Sequence, residues 1–287
     1  MIIIDYEQNS QAWQEWRAGV YGASDAAAML DISPYKSRDA LLHEKATGKS
    51  APVSDWLQQL FAAGHVAEAA IMPELEARVG EPLYNLVGEI DNHIAASFDG
   101  ITYDQQTIVE HKLLRNSNAS RKRFEMAARG EVAEHDMAQV QQQLLVSGAA
   151  RCLFCVSDGT AERLAIAEIK PDPEWFVRLL AGWKQFTADL AAYAPTREDT
   201  AFLEAAAAWR AIKAQQAEIE EAEKAARQRL EALGEASGQK ILTGGGITLT
   251  RTERKGNVDY SKIPALQGID LEPYRKAGSS YWKITGA

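Results

Sequence analysis

The chain has 287 residues, 46% of them hydrophobic and 25% charged, with a formal net charge of −9. That balance is that of an ordinary soluble globular protein with one large core and room for an extension. The opening Met1-Ile2-Ile3-Ile4 meets Asp5, and no later stretch approaches ~18 consecutive apolar residues, so neither secretion nor a membrane span is expected, and a cytoplasmic protein is.

Ser10 predicts an N-cap for a helix to Ala18, with Trp13, Trp16 and Arg17 at helical spacing and Gly19 as its stop. A short second helix is expected from Ser24. Ser33-Pro34-Tyr35 reads as a turn, after which Ser37 caps a helix to Thr47 that Gly48 ends. A longer helix is expected from Ser54 to Val79, with Pro73 marking a kink or restart. Strands follow at Leu83–Glu89, Ile94–Asp99 and Thr107–Leu113, the last two joined as a hairpin through Asp104-Gln105-Gln106. Helices at 118–129 and 134–147, strands at 151–157 and 162–169 and a helix at 172–193 complete an α/β core by Pro195. Residues 1–195 are thus read as one domain and 196–287 as a C-terminal extension. There Ile212, Ile219, Ala226 and Leu233 recur every seven residues, while the companion row Trp209, Gln216, Glu223, Leu230 is too polar for a coiled-coil seam. An amphipathic helix or helical hairpin packed on its own domain is expected. Gly244-Gly245-Gly246 then turns the chain into a strand to Arg254, and Lys255-Gly256-Asn257 turns it again. The triple glycine lacks the Gly-Lys-Ser/Thr of a phosphate loop.

The only cysteines, Cys152 and Cys155, lie in an apolar strand where positions three apart face opposite sides. Two buried thiols, not a redox or metal pair, are expected, and an iron–sulfur cluster with its four cysteines is excluded. The net negative charge argues on its face against nucleic-acid binding. Between His111 and Gly130, however, Lys112, Arg115, Arg121, Lys122, Arg123 and Arg129 stand against the single acid Glu125. This basic island begins at the residue with the strongest chemical promise.

Pairing the hairpin about Asp104-Gln105 sets residues whose numbers sum to 209 opposite each other, which places Asp99 across from Glu110. The two-residue period puts Lys112 on the face of Glu110 and turns His111 away, buried or bonded on the reverse side. Two carboxylates and an ammonium at one spot suit a Mg²⁺ ion, which takes oxygen ligands and keeps several waters. Spacing alone leaves a metal site and a salt-bridged surface cluster both open.

Phe98-Asp99-Gly100 with Val109-Glu110-His111-Lys112 resembles the bipartite signature of PD-(D/E)xK nucleases. Trp13-x-x-Trp16-Arg17-x-Gly19, Gly22-Ala-Ser24-Asp25, Ser33-Pro-Tyr35, Gly64-His-Val-Ala-Glu68 and Met137-Ala-Gln139-Val-Gln141 occur in the order seen in the phage lambda exonuclease and YqaJ-type viral recombinase family, over residues 10 to 190. The resemblance implies a restriction-endonuclease-like α/β fold, a mixed central sheet flanked by helices, followed here by a helical and small β extension. It implies Asp99, Glu110 and Glu68 as Mg²⁺ ligands (Mn²⁺ being an alternative), Lys112 as orienter of the attacking water, and Gln139, with Gln143 one turn on, near the scissile bond. Arg17 and Ser24 would hold a DNA 5′-phosphate. His65, three residues before Glu68, is set aside as a structural histidine. The implied activity is 5′→3′ hydrolysis of one strand from the ends of linear double-stranded DNA in phage-type recombination, by a trimeric ring working beside a single-strand annealing protein in a bacterial host. A non-processive endonuclease and an inactive DNA-end-binding scaffold are the competing readings.

Overall fold

A computed structural model describes residues 1–6, 10–48, 55–194 and 197–251 of the chain, which divides into two compact units, Met1–Ala222 and Glu223–Ala287. The composition shift at Pro195 immediately precedes the helix in which the first unit ends.

Local signals set most element boundaries in the first unit. Helix α1 (Gln11–Gly19) starts where Ser10 Oγ accepts the amide of Trp13, and it runs through Gly19 to an extended Val20. Helix α3 (Arg38–Thr47) is capped by Ser37 and ends in left-handed Gly48. Between them the expected second helix is broken in two: Ala23–Asp25 forms a 3-10 turn, and α2 is only Ala26–Met29. Ser24 lies inside the 3-10 turn and does not cap α2, and its hydroxyl accepts a hydrogen bond from the Arg17 guanidinium. Helix α4 (Asp55–Val79) carries Pro73 inside it without a restart. The proline removes one backbone bond, and the buried Ile71 and Leu75 on either side keep the helix seated. Helices α5 (Asn118–Ala128), α6 (Glu134–Ser147) and α7 (Pro173–Ala192) follow as expected.

The sheet holds β1 (Ile2–Ile4), β2 (Tyr21–Gly22), β3 (Tyr84–Ile90), β4 (Ile94–Ile101), β5 (Thr107–Leu113), β6 (Arg151–Ser157) and β7 (Leu164–Ile169). Its order is β1-β3-β4-β5-β6-β7, with β2 beside β4. The β5–β6 and β2–β4 pairs are parallel and the others antiparallel, so the sheet is mixed. A parallel β5–β6 pair needs a crossover, and α5 and α6 supply it. The short β1 and β2 were not expected from the sequence.

Alternating side chains divide the interior between the two faces of the sheet. Phe98, Ile108, Cys152 and Phe154 pack with Ala138 and Leu144 of α6 and Leu179, Trp183 and Phe186 of α7. Val109, Leu153 and Cys155 pack with Ile71 and Leu75 of α4. The two cysteines are free and buried in different cores, and burial pushes the Cys155 thiol up to about 12.

Three consecutive glutamines fix the rotation of α6 about its own axis. Gln141 bonds Lys170 O and the amide of Asp172 at the entry to α7. Gln142 donates to Tyr21 O and Ala95 O and accepts from Trp183 Nε1. Gln143 donates to Ser97 O and to Glu110. Gln142→Leu would leave three buried polar groups without their partner, so chemical denaturation is expected to show a loss of about 3 kcal/mol or more.

Helix α8 (Arg197–Ser237) is a single helix, not a hairpin, and the second unit begins within it. Ile212 and Ile219 of its seven-residue row are more than half exposed. In the second unit, β8 (Ile241–Gly244) and β9 (Ile247–Thr250) form a hairpin. Its turn residues Gly245 and Gly246 both have positive φ, as a two-residue turn of this hand requires. The expected strand end at Arg254 and the Lys255–Asn257 turn lie outside the described residues.

Candidate active site

The hairpin pairs Gly100 with Val109 and Ile101 with Ile108, both summing to 209, and the ladder stops there. On its other side β4 pairs Ile101 with Tyr84 but Phe98 with Leu86, so β4 carries one extra residue. Asp99 and Gly100 therefore lie on a β-bulge, a device that re-aims a side chain. Instead of standing as a ladder pair with Glu110, Asp99 accepts the amide of His111 through Oδ2 at 2.8 Å.

Glu110 is 3% exposed and fully engaged. Its Oε1 accepts from Lys112 Nζ at 2.6 Å and Gln139 Nε2 at 2.8 Å, and its Oε2 accepts from Gln143 Nε2 at 2.5 Å. Lys112 also donates to Gln139 Oε1 at 2.9 Å, closing a Glu–Lys–Gln triangle. His111 points away, its Nε2 2.9 Å from Ser157 Oγ, and burial holds it neutral with a pKa of about 4. Glu68, on α4, faces the same space with His65 Nδ1 3.8 Å from it.

The electrostatics are those of acids crowded out of water. Burial, then the charges of Glu110 and Glu68, lift the Asp99 carboxyl well above its ordinary range. Burial raises Glu68 as well, and Glu110 adds to it against the opposing pull of His65. Burial disfavours the Lys112 ammonium, yet Glu110 and Asp136 outweigh it and hold the amine charged.

One cavity of about 920 Å³ is lined by Ser24, Glu68, Asp99, Glu110, Lys112 and Gln139, together with residues of α8. Arg17 stands behind Ser24, with Nη2 2.9 Å from its hydroxyl and the guanidinium over the Trp13 ring. Asp136, Arg123 and Tyr35 also line it, with Arg123 bonding both of the others. These three escaped prediction as site residues because their partnerships span α5, α6 and a loop. His65, set aside on sequence, lines the cavity too.

An all-oxygen donor set of Asp99, Glu110 and Glu68 suits a hard divalent cation. The buried Gln143 Oε1 beside them lacks a hydrogen-bond partner among the described residues. Mutual repulsion of the carboxylates marks a place for a positive charge, so the residues fit the ion. Among the described residues no three acids, histidines or cysteines stand close enough together to form a ready-made cage, and Lys112 is the counter-charge on Glu110.

Residues 12–150 match the family model for the YqaJ-like viral recombinase domain. The matched segment, just under half of the chain, is what resembles that domain. It contains every site residue predicted from the sequence, Arg17 to Gln139. The fold is that of the alkaline exonuclease LHK-Exo from Laribacter hongkongensis, solved with dAMP (TM-score 0.53) and in a second crystal structure (0.52). Each is 20% identical and covers 69% of this chain and 98% of its own. The likeness makes the sheet with its flanking helices a PD-(D/E)xK fold. No curated protein matches the chain. Among the described residues no helix is long and apolar enough to cross a membrane.

Proposed function

We propose that this chain is a divalent-metal-dependent exonuclease that hydrolyses one strand of linear double-stranded DNA from an end, 5′→3′, in phage-type recombination. The observation that carries the reading is the gathering of Asp99, Glu110, Lys112, Glu68 and Gln139 around one cavity, with the Arg17–Ser24 pair at its margin. The YqaJ-like domain and the exonuclease fold support it.

In this mechanism Asp99, Glu110 and Glu68 would hold Mg²⁺ or Mn²⁺, which when bound would supply Lewis acidity at the scissile phosphate and ease deprotonation of the attacking water. Lys112 donates a hydrogen bond to that water and aims its lone pair at phosphorus, while Gln139 fixes the ammonium from the far side. The water oxygen bonds to phosphorus and gives up its proton to solvent as the phosphorus–O3′ bond breaks, the departing O3′ takes a proton from solvent water, and a nucleoside 5′-monophosphate leaves, the class to which the dAMP bound by LHK-Exo belongs. Arg17 and the Ser24 hydroxyl grip the terminal 5′-phosphate and set the direction of travel. A trimeric ring around the duplex, with an annealing protein as partner, would place the basic residues of the cavity toward DNA and leave the acidic surface outside.

The decisive experiment digests end-labelled linear duplex and supercoiled circle side by side, with Mg²⁺ and with chelator. Mg²⁺-dependent release of mononucleotides from the linear substrate alone is expected. Cleavage of the circle would make the protein an endonuclease, and intact linear DNA would make it an end-binding scaffold. Arg17→Ala is expected to slow digestion of 5′-phosphorylated ends by about 10- to 100-fold, the value of one or two charge-assisted bonds. Unphosphorylated ends should be affected far less, and an equal loss on both would remove the case for a phosphate pocket.

A further inference from the structure

Arg115 lies just past β5, three residues after Lys112. Its amide donates to Ser120 Oγ at 2.8 Å, so its backbone is anchored and its side chain is aimed into the catalytic cavity. The guanidinium grips the Glu218 carboxylate of α8 through both Nη atoms, Nη2 reaching Oε1 at 2.5 Å. One turn on, Glu221 accepts from Asn118 Nδ2. Residues three apart share a helix face, so two acids of α8 are set against the start of the basic segment. Ala208, Ala211, Ile212 and Gln215 of the same helix form a wall of the cavity that holds Asp99, Glu110 and Lys112.

At about 920 Å³ this is the size of a small-molecule pocket, not of a groove for a duplex. The wall is weakly seated: among the described residues from 201 to 222 none belongs to the buried core, and Ile212 is 60% exposed. A carboxylate held by both arms of an arginine has the geometry of a phosphate on the same arginine. We propose that residues 208–221 of α8 are an anionic strap over the active site, with Glu218 occupying a phosphodiester-binding position on Arg115 that DNA must take to enter. The inference rests on the nuclease reading for the identity of the ligand. It adds that Arg115 is a DNA-backbone contact and that the resting enzyme is self-inhibited by a competing carboxylate.

The strap is testable in the full chain. Asn118→Cys with Glu221→Cys, joined by a short bis-maleimide containing a reducible disulfide, locks the helix in place. The native Cys152 and Cys155 are buried and stay out of the reaction. Affinity for a fluorescent linear duplex is read by anisotropy in chelator, and digestion is read with Mg²⁺. The locked protein should bind duplex at least about tenfold more weakly and digest it correspondingly slowly, with reduction restoring both. In the otherwise native chain Glu218→Gln should tighten binding by roughly fivefold at low salt, the upper range for a partly exposed ion pair, with the gain shrinking as salt rises. Arg115→Ala should weaken binding and remove the effect of Glu218→Gln. If locked and reduced forms bind and digest alike, or Glu218→Gln binds no more tightly, the strap is wrong while the nuclease reading stands. Lock-dependent binding without digestion in any form would keep the strap and overturn the nuclease reading.

Discussion

Lys112→Ala is expected to slow DNA hydrolysis by about 10²- to 10⁴-fold, the range for loss of a positioned proton-handling group, while DNA affinity stays within a few-fold. The reason is local. The ammonium touches Glu110 and Gln139 and is not part of the Arg17–Ser24 pair, so its removal takes away the proposed orienter of the water without touching the proposed grip on the DNA end. The same amine is the counter-charge on a buried carboxylate. In chelator the variant should therefore melt at a lower temperature than the wild type, because the Glu110 charge is left uncompensated. Adding Mg²⁺ should raise its melting temperature by more than it raises that of the wild type, since the cation then replaces the missing positive charge. Single-turnover digestion and thermal melts with and without Mg²⁺ check both halves. Unaltered hydrolysis would remove Lys112 from the mechanism.

Asp99→Asn is expected to show the opposite pattern in stability. Burial and the neighbouring acids raise the folded-state pKa of Asp99 above its ordinary 3.8, so the folded protein binds this proton more tightly than the unfolded chain does. Between 3.8 and the raised value stability then falls as pH rises, and above it the full penalty of an ionised buried carboxylate remains. Asparagine never ionises and can still accept the His111 amide. In chelator at neutral pH the variant should melt higher than the wild type, and the stabilisation that the wild type gains on mild acidification should shrink. Mg²⁺ should lose most of its stabilising effect, and hydrolysis should fall on the order of a thousandfold or more, in keeping with several kcal/mol of lost charge stabilisation. A variant that melts lower in chelator would show that the Asp99 carboxylate is a structural asset.

The elements legible in the sequence are those whose signals are short-range. Ser10, Ser37 and Asp172 cap helices through their own side chains, and the expected spans of β5 and β6 match both strands residue for residue. Asp99, Glu110 and Lys112 were accessible because one hairpin gathers them, whereas Gln139 came only with the family resemblance. What stayed hidden depends on distant partners. The three-residue β1 is a strand only because β3 offers it an edge. Ser24 was expected to open a helix, but it sits in a 3-10 turn with its hydroxyl bonded by Arg17 seven residues earlier. The Arg115–Glu218 pair spans 103 residues, so no local pattern announces it. The choice between one helix and a hairpin past Pro195 was equally unreadable, because an alanine-rich run with a polar second row satisfies both.

The extra residue in β4 carries an evolutionary corollary. A Cβ on Gly100 would come within 3.1 Å of Leu83, so this position has little room for a larger side chain. Removing it would restore even pairing with β3, so that Phe98 could keep its place in the interior while Asp99 lost the bulge that aims it. On the nuclease reading, a three-base deletion there leaves a folded but inert protein, and the spacing between Phe98 and Ile101 becomes the feature to inspect in any related sequence.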